Sequence, residues 1–125
     1  MNEIDLRGNH QLDKASDIKK WVAKIIATHG HSLSELTYQF ISDEEIIDIN
    51  RKYLDHDNYT DIITFDYTER GVLSADIVIS TDRVKENADK FDSSYQSEMR
   101  RVIIHGVLHC LGYPDKTEEE KEIMR

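Results

Sequence analysis

Residues 96–111 demand a helix. At about 100° per residue, Met99, Ile103, Ile104, Val107, Cys110 and Leu111 gather on one broad flank, which a strand would scatter over both faces. His105 and His109 fall on a separate stripe, one turn apart, with Glu98 and Arg101 near it toward the helix start. Gly112 supplies a left-handed cap and Pro114 keeps the helix from resuming. The chain therefore turns back sharply, which can bring Asp115 beside the two imidazoles.

The other elements follow from shorter signals. Ile4 and Leu6 suggest a first strand, and Ser16 a cap for a helix carrying Ile18, Trp21, Val22, Ile25 and Ile26, closed by Gly30. Residues 36–40 alternate as a half-buried strand does. Ser42 and Glu45 form a capping box for a helix with Ile46, Ile49, Asn50 and Tyr53 along it. Residues 62–67 and 73–80 are β-branched and aromatic, and their short polar connection predicts an antiparallel hairpin. Val84, Ala88 and Phe91 sit at helical spacing, and Ser93 with Gln96 reads as a second capping box. The run Glu118, Glu119, Glu120 suggests one more helix start. The order β-α-β-α-β-β-α-α predicts an α+β fold, a mixed sheet of about four strands with helices packed on it. Without repeat, low-complexity tract or linker, residues 1–125 read as a single domain.

Sixteen Lys and Arg against 25 Asp and Glu leave a formal charge of −9. Such a chain has no overall electrostatic grip on DNA, RNA or anionic lipid, although a local basic patch is compatible with it. Cys110 is the one cysteine, so neither a disulfide framework nor a cysteine zinc cage is available, and core packing is its simplest role. No apolar run is long enough to cross a bilayer, and the start lacks the pattern of a secretion signal. The expected location is the cytoplasm, with no membrane partner.

Two histidines at i and i+4 can aim ring nitrogens at one cation, and a carboxylate beyond the turn adds a third ligand while one position stays open. His105, His109 and Asp115 thus suit one zinc ion with a bound water, acidified toward neutrality. The competing reading is two unrelated histidines, one packed and one wet. Gly106 stands where a helical zinc protease carries its glutamate base, which disfavours peptide hydrolysis by that route.

Weaker candidates surround this motif. Thr60 and Asp61 can orient a ligand or simply close a turn. Asp76, inside an apolar strand, reads as a buried carboxylate that bonds either backbone or a ligating histidine. Arg100 and Arg101 can hold RNA phosphates or form a solvated helix face; Arg51 and Lys52 are a fainter version of the same idea. His10, His29, His31 and His56 lack ligand spacing and read as surface residues, whereas Tyr38, Tyr53 and Tyr67 sit in core-like patterns.

The run from His105 to Asp115 resembles the hallmark of the YbeY family of endoribonucleases and rRNA maturation factors, His-Gly-x-Leu-His-x-x-Gly-Tyr-x-His. Residues 54–65 resemble that family's Tyr-Arg-x-x-Asp-x-x-Thr-Asp-Val-Leu-Ser-Phe block, and residues 75–80 its Gly-Asp-Ile strand, all in the same order from about Ser42 to Lys116. Three departures stand out. Asp115 replaces the usual third histidine, which makes a bound water less acidic and admits divalent metals harder than zinc. Leu54 replaces an arginine implicated in activity, so that role does not transfer, and the general acid or base is unreadable. Ala75 replaces a glycine.

The resemblance implies a zinc-dependent single-strand endoribonuclease in ribosomal RNA maturation and ribosome quality control. Its partners would be ribosomal RNA with ribosomal proteins or assembly factors, and DNA is not expected. The alternatives are an assembly factor whose metal is structural, or a metallohydrolase of small substrates.

Overall fold

The computed structural model describes residues 3–54 and 60–112. Its elements run β1 (Glu3–Gly8), α1 (Ala15–Thr28), β2 (Ser32–Ile41), α2 (Asp43–Leu54), β3 (Ile62–Asp66), β4 (Val72–Ser80), α3 (Thr81–Lys90) and α4 (Tyr95–Cys110). This is the α+β order expected. The four strands form one mixed sheet in the order β1-β2-β4-β3. β1, β2 and β4 run parallel, and β3 closes the edge antiparallel to β4.

Alternation along the strands divides the core. Ile4, Leu36, Tyr38, Phe40, Leu73, Ala75, Ile77 and Ile79 face one side and pack with Ile18, Val22 and Ile26 of α1, Val84 of α3, and Met99, Val102, Ile103 and Val107 of α4. Val78, Ile63 and Ile41 face the other side and meet Ile46 of α2. The β3–β4 hairpin closes through Arg70 and Gly71, whose φ angles of 53° and 77° are those of the tight turn that matches strand twist. Glu69 and Val72 exchange backbone hydrogen bonds across it at 3.1 and 2.9 Å.

The caps differ in instructive ways. Ser42 and Glu45 form the reciprocal box: Glu45 N–H donates to Ser42 Oγ at 3.2 Å, and Ser42 N–H donates to Glu45 Oε1 at 3.3 Å. At α1 the expectation is corrected. The helix begins at Ala15 behind Lys14 in the left-handed region, with no side-chain cap, so Ser16 lies inside the first turn. At α4 the cap is Ser94 rather than Ser93, its Oγ accepting from Ser97 N–H at 3.1 Å. Gln96 is drawn away from capping because its amide bonds residues before α1: it donates to the Gln11 carbonyl at 2.7 Å and accepts from Asp13 N–H at 3.0 Å.

Trp21, Tyr53 and Tyr67, read as core-like, are exposed at 38, 59 and 59%. Tyr38 is fully buried, as its pattern predicts. Among the described residues, no helix is long and apolar enough to cross a membrane.

Candidate functional site

α4 carries the site because three separate contacts fix it. Its start is tied to the chain before α1, where Tyr95 Oη donates to the His10 carbonyl at 2.6 Å. Its middle is tied to the sheet, where the buried Tyr38 hydroxyl donates to the Ile103 carbonyl at 2.9 Å. Its last third lies against β3 and β4 through Gly106. A Cβ built there would stand 2.9 Å from Ile77 Cδ1 and 3.0 Å from Ile62 Cδ1. The glycine between the two histidines is therefore a packing residue. It lets the backbone approach the strands, and any larger group at that position points into the core.

With Gly106 and Val107 buried against the sheet, His105 is left half-buried and His109 exposed. Both are on the stripe that the apolar flank leaves outside, one helical turn apart. Gly112 follows with φ +100°, the left-handed conformation expected after the helix.

The donor chemistry of two imidazoles on one rigid turn suits a divalent cation. Asp115, the expected third ligand, lies outside the described residues, as do Pro114, His56 and the acidic run at 118–120. Among the described residues, no group of three or more His, Cys, Asp or Glu side chains converges. The two histidines thus fit a metal and do not complete its ligand set alone.

Cys110 is 5% exposed and its thiol is pushed up to about 12, first by burial and then by the negative charge and hydrogen bond of Asp66. A thiol held neutral in this way is neither nucleophile nor metal ligand at ordinary pH.

The weaker candidates separate. Asp76 is exposed, which corrects the reading of a buried carboxylate. It alternates with Ala75 and Ile77, and those two face α4, so its carboxylate leaves the opposite side of the sheet and cannot support a histidine of α4. Asp61 sits at the entry to β3, its carbonyl accepting from Ser80 N–H at 2.9 Å and its carboxylate from Asn87 Nδ2 at 3.5 Å. Thr60 Oγ1 donates to the Ile62 carbonyl at 3.3 Å.

The arginine pair divides. Arg100 faces away from the histidine stripe, into a groove with Trp21, Ile18 and Gln96, so its expected place beside the metal is corrected. Arg101 lies on the stripe, four residues before His105. Its Nε donates to Glu98 Oε1 at 3.0 Å and its Nη2 to Glu98 Oε2. Arg51, exposed, stands 3.8 Å from Asp48. His10 is half-buried, its ring edge-on to Phe40 at 5.5 Å, whereas His29 is exposed as expected.

Two features escaped the sequence reading. Glu98 is buried to 3% exposure, and its signal was the i, i+3 spacing to Arg101. Phe91 has helical spacing with Val84 and Ala88, yet it follows α3 as the C-cap and stands 46% exposed.

Comparison with known proteins adds an independent finding. A family model described as Endoribonuclease YbeY matches residues 3–125. An Endoribonuclease YbeY of Bacteroides thetaiotaomicron is 49% identical over 116 residues, covering 89% of this chain and 85% of that protein. One from Cytophaga hutchinsonii is 49% identical over 117 residues, covering 93% of this chain and 82% of its own length. The solution structure of TM1509 from Thermotoga maritima superposes with a TM-score of 0.69 at 28% identity, covering 99% of this chain and 84% of that one.

Proposed function

This chain belongs to the YbeY family of endoribonucleases, and from that premise we propose that it is a metal-dependent endoribonuclease cutting single-stranded RNA. Ribosomal RNA, in maturation and quality control within the cytoplasm, is the proposed substrate. The observation that carries the reading is the pair His105 and His109, held outside the core one turn apart while Gly106 between them seats the helix on β3 and β4.

In this reading His105 and His109 are two protein ligands of one divalent ion, and Asp115 is the third. When bound, zinc or a harder divalent metal supplies Lewis acidity toward a phosphoryl oxygen and lowers the pKa of water. The chain's own work is positional. Tyr38 and the Ser94 cap fix α4, so the two imidazoles sit on a backbone that does not yield when substrate arrives. The surface charge sets affinity: an acidic chain holds free RNA weakly, so we further propose that a ribosomal protein or assembly factor docks it on its substrate.

The test begins with metal analysis of protein purified without added zinc, beside a His109→Ala variant. The expected result is about one ion in the native chain and a marked loss in the variant. Near-zero metal in the native chain would remove the enzyme reading. RNA cleavage present in the native chain and absent from the variant separates a nuclease from an assembly factor with a structural metal. Cleavage that the variant retains points to a contaminant.

A further inference from the structure

Where α3 gives way to α4, Phe91, Ser93, Ser97, Glu98 and Arg101 line a groove of about 330 Å³. Phe91 is 46% exposed and does not belong to the core that holds α3, so the fold gains little from a large ring there. Lys90 Nζ lies 5.7 Å from the centre of that ring. Across the groove Arg101 is 19% exposed and gripped by a carboxylate that is itself 3% exposed.

The grip has a specific geometry. Arginine carries five N–H donors; Nε and Nη2 each give one to Glu98, which leaves three to face the groove. A buried ion pair is weak evidence for stability, since apolar residues of similar volume hold a fold as well. What Glu98 does provide is a guanidinium fixed in direction. Arg101 also shares the stripe of His105, four residues and about 6 Å along the helix axis before it.

We infer that this groove is a single-strand subsite, in which Phe91 stacks an unpaired base and Arg101 holds the phosphate beside it, one helical turn ahead of His105. The inference rests on the reading of the chain as an RNA-cleaving enzyme and extends it to the residues that seat the strand. An exposed ring beside a fixed guanidinium is the pairing that receives splayed bases, because every base has a face to stack and duplex bases do not. A protein hot spot would need an enclosed apolar pocket, and the hydroxyls of Ser93 and Ser97 and the charges of Glu98 and Arg101 deny it one.

Binding of a fluorescein-labelled, unstructured RNA 12-mer, read by anisotropy with EDTA present, tests the subsite apart from the chemistry. Phe91→Ala should weaken binding roughly five- to a hundredfold, the range for loss of one stacked base, and Phe91→Trp should restore it. Arg101→Lys keeps a charge on Glu98 but loses the fork, and should weaken binding several-fold. In cleavage, both losses should appear in KM with kcat little changed. The subsite is overturned if Phe91→Ala binds as the native chain does, if a duplex of the same length competes equally, or if the native chain does not bind unpaired RNA. Cleavage with an unchanged KM in Phe91→Ala would sink the subsite and leave the nuclease reading intact. Binding that depends on Phe91, in a chain that cuts nothing with any divalent metal, would do the reverse.

Discussion

Gly106 shows how much one missing side chain decides. Its hydrogen stands where a methyl group would meet Ile77 and Ile62 at 2.9 and 3.0 Å. Those atoms are the ends of flexible side chains, so overpacking at the low end of about 1–3 kcal/mol is expected. Alanine also recovers about 1 kcal/mol of helix propensity. Gly106→Ala should therefore change the free energy of urea unfolding by about 1 kcal/mol or less. Gly106→Glu would bury a carboxylate among isoleucines and should cost several kcal/mol, enough to leave little folded protein at 25 °C. The sequence reading saw only that a protease base was missing at this position. Which way the position faces depends on the sheet partners of α4, and no local pattern contains that. Asp76 failed for the same kind of reason: the strand around it is apolar on both faces, so alternation alone did not tell which side opens to water.

Between elements, the clearest device is the clasp where α2 and α3 begin side by side. Asp43 accepts from Ser80 Oγ at 2.7 Å and from Arg83 Nε at 3.0 Å, while its own N–H donates to Asp82 Oδ2 at 2.9 Å. Ser80 in turn caps α3 by accepting from Arg83 N–H at 3.2 Å. Removing the carboxylate leaves a partly buried guanidinium and a buried hydroxyl without their acceptor. Asp43→Ala should cost about 1–3 kcal/mol, read as a lower urea midpoint with an unchanged slope. Asp43 was legible only as the second residue of a capping box. Its cross-links join residues about forty positions apart. The box at Ser42 was legible because both its bonds are local, whereas Gln96 and Ser16 went astray where a tertiary partner or a left-handed Lys14 took over.

At the scale of the whole molecule, two buried acids couple the fold to alkaline pH. Burial holds the Tyr38 hydroxyl well above its usual value of 10.0, and Cys110 is pushed from 9.0 to about 12 by burial and Asp66. In both cases the folded value is the higher one. Their stabilisation is therefore complete below about pH 9 and is lost as pH rises from there toward about 12, because the unfolded chain releases protons that the native chain keeps. Unfolding midpoints measured from about pH 8 upward should fall steeply for the native chain. Tyr38→Phe should start about 1 kcal/mol lower, having left the Ile103 carbonyl unpaired, and then fall less steeply. The class of fold and the hairpin were readable from periodicity and turn chemistry. The parallel pairing of β2 with β4 was not, because it joins segments more than thirty residues apart whose sequences carry no mark of each other.

That pairing also dictates a timetable during synthesis. β2 leaves the ribosome with one flank already matched by β1, but its other flank stays bare until residues 72–80 emerge. β3 appears earlier yet has no neighbour except β4, so it must wait beside the nascent chain. α4 then has its platform only once both strands are laid down, which makes the paired histidines among the last groups to become ordered. A ribosome stalled before β4 has emerged would release a fragment with an open, apolar strand edge and no assembled site.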